Sequence, residues 1–292
     1  MPDPQTFLLP SRAFILSQRD QNLPLRRAAL ADAEAHYADI EKGGYLEHLA
    51  LVALIGETLQ IVEDLGALAN SFFAAPQGTA FFAALTNYNS RAINNFYSSL
   101  KKRPLEDFLQ LLGFRIGGVR LEDALVFEPS LTAAVLTALE EVHLATATLV
   151  RTHMVNLAND WDRYRRFHHA FKHGLIVVNP EDVSMVENRQ TKIDGVCVWM
   201  RKRDFAYGFG QIEPPYEETM LYVVGMGRVA LDVLTYLVDF RVNFFDLVDL
   251  RGDGSWSLRP MQRVPWLWWF DKKDVSQESR RVITERFGIE FS

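Results

Sequence analysis

The chain has 292 residues, 48% of them apolar and 12% aromatic, with a formal net charge of -6 and a pI near 5.7. That is enough apolar material for a substantial core, and the acidic balance excludes broad electrostatic adhesion to nucleic acid while leaving room for a local basic patch. The single cysteine, Cys197, cannot form an internal disulfide, and its Val-Cys-Val setting suits a strand residue in a reducing compartment.

The start, Met-Pro-Asp-Pro-Gln, lacks the basic residues and apolar run of a signal peptide, so a cytoplasmic protein is expected. No membrane span is expected either. The stretch His48 to Val62 is short and holds Glu57, and Leu221 to Phe240 contains Arg228 and Asp232.

Residues 1 to 24 are punctuated by proline and predict an extended lead-in across the core. Leu25 to Lys42 predicts a first helix that stops at Gly43-Gly44, and Tyr45 to Phe73 a second, antiparallel to it, carrying Glu57, Glu63 and Asp64. Shorter helical pieces are expected around Ala80 to Leu100 and Pro104 to Leu112, followed by a loop at Gly113, Gly117 and Gly118. From Leu131 to His173 there is no glycine or proline. Apolar residues recur there at steps of three and four, which predicts one long helix begun by Pro129 or Ser130 and weakest near Asn156 to Asp160.

Beyond Gly174 the period changes. Leu175 to Val178, Val196 to Met200 and Phe205 to Phe209 are short and β-branched or aromatic, predicting a small antiparallel β insert at about 175–215. A helix from Tyr216 to about Asp249 is apolar on most faces and belongs in the core. The tail, about 255–292, is rich in tryptophan. Pro265-Trp-Leu-Trp-Trp-Phe270 suits a core or subunit-contact plug better than a base-stacking platform, and a short helix runs from Ser276 to Phe287 with Gly288 past its end. The expected fold is therefore mainly α: an antiparallel helical bundle with a small antiparallel β insert, in a single domain spanning 1–292.

The end of the long helix, Asn159 to His173, carries the chain's chief chemical cluster. At about 100° per residue, Asn159, Asp162, Arg166 and His169 fall within about 40° of His173 and form one polar stripe. His153 and His168 fall on the apolar side and suit packed, hydrogen-bonded core histidines. An arginine and a histidine on one helix face suit cleavage of a phosphodiester by an internal hydroxyl. A neutral imidazole can take the 2′-hydroxyl proton, a guanidinium can stabilise the charge gathering on phosphorus, and only RNA offers that hydroxyl. Such chemistry needs neither metal nor cofactor.

Arg166-Phe-His-His-Ala-Phe-Lys-His173 resembles the Arg-x4-6-His signature of the HEPN superfamily of helical proteins. The resemblance implies a metal-independent endoribonuclease that works as a homodimer, with Arg166 and His173 as the catalytic pair and His169 beside them. Arg163 to His168 or His169 also fits the spacing. Phe167 departs from the pattern, since the family usually has a polar residue directly after the arginine.

Arg163, Arg165 and Lys172, with Arg201-Lys202-Arg203, are candidate RNA-backbone contacts. Three other readings stand beside these. A non-catalytic interaction or dimer face would make the stripe an ordinary solvated one, with cations gathered favourably at a helix C-terminus. A metal site at His169, His173 and Asp162 is opposed by the surrounding cations. Glu140-Glu-Val-His143 reproduces half of a di-iron carboxylate motif that would have to occur twice.

Overall fold

The computed structural model describes residues 12–42, 45–74, 78–116, 119–120, 132–173, 177–178, 196–201, 207–212, 216–245, 248–250, 256–258 and 268–291. Among them the chain is mainly helical. Helix α1 (Arg12–Ser17) leads through a π-helical turn, Gln18–Asn22, into α2 (Leu23–Asp39). Next come α3 (Tyr45–Ala74), α4 (Gly78–Thr86), α5 (Ser90–Leu100) and α6 (Leu105–Leu111), then the long α7 (Ala133–His173), α8 (Tyr216–Phe245) and α9 (Gln277–Phe287).

The lead-in is thus helical from residue 12 rather than extended. Ile15 is fully buried and Phe14 meets Phe81 edge-on at 5.8 Å, so tertiary packing supplies what the local pattern does not announce. Helix α2 buries Leu23, Leu30 and Tyr37, one row seven residues apart, and gives its other faces to solvent. Helix α3 is buried on most sides and takes polar groups in with it, several of them hydrogen-bonded. Tyr37 donates to Glu47 at 2.7 Å and Ser71 to the Ala67 carbonyl at 2.8 Å.

Caps set several of the helix ends. Asn89 accepts from the N–H groups of Arg91 and Ala92 to start α5, and Thr132 accepts from Val135 at the start of α7. Pro104 is extended and precedes the first residue of α6 rather than lying inside it. Pro129 and Ser130 lie outside the described residues. Ser276 caps α9, and Gly288 ends it in the left-handed conformation, φ 66°.

The chain divides into two compact units, one of Met1–Gln21, Gly66–Asn156 and Val233–Ser292, the other of Asn22–Leu65 and Leu157–Asp232. In the first, aromatic rings pack in the core: Phe72 meets Phe81 at 5.1 Å, Phe73 meets Phe96 at 6.0 Å and Phe108 at 5.5 Å, and Phe114 meets Phe240 at 5.9 Å. A second cluster packs Val135, Leu139 and Val142 of α7 against Val275, Ile283 and Phe287, with Trp268 and Phe270 along its edge. Trp268 packs on this cluster and Trp269 meets His153 and Tyr236, while the rest of the expected plug, 265–267, lies outside the described residues.

The second unit brings together α2, the first two-thirds of α3, the end of α7 and the first half of α8. Arg26 meets Asp64 at 2.6 Å while Tyr37 meets Glu47, the crossing pattern of an antiparallel helix pair. At Gly227 a Cβ would stand 3.0 Å from Leu30 and 3.2 Å from Thr58, so the missing side chain lets α8 settle closely on both.

Backbone strand pairings also occur. Val196–Arg201 runs antiparallel to Tyr207–Ile212 and on its other side to Val177–Val178. The side chains of these segments lie outside the described residues, so no β insert packed on the helices is part of the architecture established here. The expected helix to Asp249 ends at Phe245, and Val248–Leu250 pairs with Trp256–Leu258 instead. Two helical stretches, Ala133–Arg165 and Glu218–Val242, are long and apolar enough to cross a membrane, and about half of each lies buried inside the fold. Core helices of soluble proteins have the same character.

Candidate functional site

Helix α7 runs without a break through Asn156–Asp160 to His173, so positions 166 and 173 lie about two turns apart on one rod. Burial upstream fixes the helix's setting. Leu157, Ala158, Trp161, Tyr164 and His168 are buried, whereas Asn159, Asp162 and Arg163 are exposed. Measured from His168 at about 100° per residue, the buried positions span about -40° to +80° and the exposed ones about 120° to 220°. Positions 166 and 173 come at about 160° and 140° on that scale, within the exposed sector's span, position 169 at about 100°, and position 172 at about 40°. The side chains of Arg166, His169, Lys172 and His173 lie outside the described residues, and what the structure supplies for them is this register.

The neighbouring cations are described. Arg163 is exposed, and its guanidinium lies 5.3 Å from the ring centre of Tyr164 and 5.4 Å from that of Tyr222. Arg165 is half-buried and pairs with Asp162 at 3.6 Å, one turn back on the same helix. Asp162, the third ligand of the metal alternative, therefore faces a guanidinium. Among the described residues no group of three or more His, Cys, Asp or Glu is placed to hold a metal ion.

His168 is sealed in the packing. Its Nε2–H donates to the Glu63 carboxylate at 2.7 Å, both side chains are under 5% exposed, and Trp161 meets the ring edge-on at 5.5 Å. With Glu63 ionised the proton is assigned to Nε2, since a carboxylate can only accept, and the other ring nitrogen finds no hydrogen-bond partner among the described residues. The Arg163–His168 spacing thus offers no open imidazole, which leaves Arg166 with His173 and Arg163 with His169 as the pairs that match the signature's spacing. His153 stacks on Trp269 at 5.1 Å, and His143, buried, on Phe114 at 4.1 Å. Both are packing histidines.

One turn before Arg163, Asp160 accepts a hydrogen bond from the Tyr222 hydroxyl. Burial pushes the Asp160 carboxyl above its usual range, although Tyr222 and Arg163 pull the other way. Burial and the carboxylate together push the Tyr222 phenol up to about 12.

No family model, curated protein or solved structure matches the chain. The likeness to HEPN proteins accordingly rests on the Arg166–His173 segment.

Glu63 and Tyr222 escape a reading of the sequence alone. The one visible signal for Glu63 is an acid set in the apolar run Ile61-Val-Glu-Asp-Leu65, where a buried carboxylate demands a partner. That partner is 105 residues away.

Proposed function

We propose that the protein is a HEPN-like helical endoribonuclease, independent of metal, in which His173 takes the proton from an RNA 2′-hydroxyl and Arg166 stabilises the charge gathering on the scissile phosphate. His169 assists, and Arg163, Arg165 and Lys172 are proposed to hold the RNA backbone, position 172 from the sector of the helix that is buried upstream and Arg163 from the exposed one. The observation that carries this reading is the unbroken helix Ala133–His173, whose register gives positions 166 and 173 one angular sector, the one that is exposed upstream. The protein is further proposed to work as a homodimer in the cytoplasm, with a small β insert at 175–215 beside the helix end.

The test is incubation of wild-type, Arg166→Ala and His173→Ala protein with mixed RNA in EDTA. Cleavage by the wild type that each substitution removes supports the reading. Cleavage that survives both, or none by the wild type, defeats it.

A second reading, a non-catalytic helical interaction protein, is favoured by a specific observation: the described cations of the segment are already engaged, Arg165 with Asp162 and Arg163 with two tyrosine rings. Under it the wild type leaves RNA intact, and Arg166→Ala changes the oligomeric state in sedimentation.

A further inference from the structure

We propose that Glu63 and His168 are a positioning pair that fixes the rotational setting of the last turns of α7, and with it the sector occupied by positions 166 and 173. For cleavage this rests on the RNA-cleaving reading; for the helix end itself it does not.

The rest of the buried stripe, Leu157, Ala158, Trp161 and Tyr164, is apolar or aromatic, and such contacts hold a helix against its neighbours without strongly choosing its rotation; the hydrogen bond from Tyr222 to Asp160 sets the helix about two turns earlier. A hydrogen bond does choose. At 2.7 Å the imidazole N–H must point at one carboxylate oxygen, and the angle cannot stray far before the bond is lost. The stakes are high because both groups are out of water. Parting the pair would take from two buried groups a hydrogen bond that water cannot replace, so a roll of the helix that parts them is resisted.

His168 is also well placed along the chain to govern this end. It lies two residues after Arg166, one before His169 and five before His173, with no glycine or proline between. With a helix radius of about 5 Å out to the side chains, a roll of about 20° moves a side-chain tip by about 2 Å. Misplacement of about 1 Å can lower a catalysed rate about a hundredfold. Glu63 and His168 touch no substrate in this scheme. They act through the two residues that would.

The experiment uses the full chain with Glu63→Leu, Glu63→Gln and His168→Phe, each first shown to be folded by circular dichroism, and reads backbone hydrogen exchange peptide by peptide together with RNA cleavage in EDTA. Glutamine keeps an acceptor for the imidazole N–H, whereas leucine and phenylalanine do not. Expected are exchange at 159–173 faster by about tenfold in Glu63→Leu and His168→Phe, with 133–150 unchanged, and near wild-type exchange in Glu63→Gln. In cleavage, kcat should fall about 10- to 100-fold in the first two with KM little altered, and Glu63→Gln should recover most of it. Unchanged exchange at 159–173 in folded Glu63→Leu and His168→Phe, or equal loss in Glu63→Gln, overturns the proposal. If the wild type cleaves no RNA while the exchange pattern appears as expected, the nuclease reading fails and the positioning pair stands. Should Glu63→Leu not fold, His168→Leu, which has no donor for the carboxylate, takes its place, with exchange at 159–173 expected to rise at least about threefold and no rise overturning the proposal.

Discussion

Arg241 of α8 donates from its guanidinium to the carbonyl oxygen of Leu111 at 2.7 Å, at the last residue of α6. A helix C-terminus leaves its final carbonyls without intrahelical donors, and a cation there meets both the hydrogen-bonding need and the dipole. Arg241 is 3% exposed, lies 4.5 Å from the ring centre of Phe72, and burial draws its pKa down to about 9 against the opposing influence of Tyr236.

Replacing Arg241 by methionine removes the charged donor but also relieves the desolvation of a buried cation. The lost hydrogen bond costs about 1.5–3 kcal/mol and the relieved desolvation returns a similar amount, so stability within about 1 kcal/mol of wild type is expected. Arg241→Lys should be less stable than wild type, since an ammonium is compact, strongly hydrated and lacks the planar face that lies on Phe72. Urea unfolding of the two variants measures this, and a lysine variant as stable as wild type would contradict it.

Glu141 of α7 holds the last helix in place. Its carboxylate accepts from the Ser276 N–H at 2.6 Å, from the Ser276 hydroxyl at 2.8 Å and from the Ser279 hydroxyl. Burial pushes this carboxyl up, but the hydrogen bonds from Ser279 and Ser276 outweigh it and hold it below its usual range. A carboxyl depressed in the folded state stabilises the fold above its unfolded pKa, and the contribution is lost as pH falls through the folded value. Glu141→Ala should therefore cost about 1 kcal/mol at pH 7, allowing for partial exposure. Repeating the urea titration near pH 3 should show that difference shrinking towards zero.

These two residues also show why some of the structure was legible in the sequence and some was not. The ends of α9 are local: a serine that accepts from the N–H three residues on, and a glycine that alone tolerates φ 66°, so Ser276 to Gly288 could be read directly. The continuity of α7 to His173 is local too, since 133–173 contains no breaker. Arg241 and Leu111 are 130 residues apart, and Glu63 and His168 105. Nothing in either neighbourhood names the other partner, because the bond exists only after distant helices pack. The candidate stripe belongs to the legible kind in its register, while the sealing of His168 that narrows it belongs to the other.

Asp160 should behave as the opposite of Glu141. Its carboxyl is raised by burial in the folded state, so the folded form keeps a proton that the unfolded form has lost, and stability falls as pH rises from the unfolded value of about 4 through the folded one. Asp160→Asn removes the buried charge and keeps an oxygen to accept from the Tyr222 hydroxyl. Its stability should match or exceed wild type at pH 7 by up to about 1 kcal/mol and equal it near pH 3. Tyr222→Phe should lower stability at pH 7 by leaving Asp160 without that donor, and should delete a phenol that titrates near 12 from the absorbance titration.

Two glycines on long helices should respond to alanine in opposite directions. Both sit in helix interiors, where alanine in place of glycine contributes about 0.5–1 kcal/mol by restricting the unfolded chain. At Gly225 of α8, which is exposed, an added Cβ meets nothing within 4 Å, so that gain should appear undiminished. At Gly66 of α3 the Cβ would stand 2.8 Å from the ring of Tyr97 and 3.1 Å from Ile93. Tyr97 is 1% exposed and itself stacked edge-on with Phe96 at 5.3 Å, so the ring has no room to retreat without moving α5. Overpacking of this kind costs about 1–3 kcal/mol and should outweigh the entropic gain. Thermal unfolding should therefore place Gly225→Ala above wild type and Gly66→Ala below it. A Gly66→Ala variant at or above wild type would mean that α5 does not press on α3 at that turn as closely as the ring contact requires.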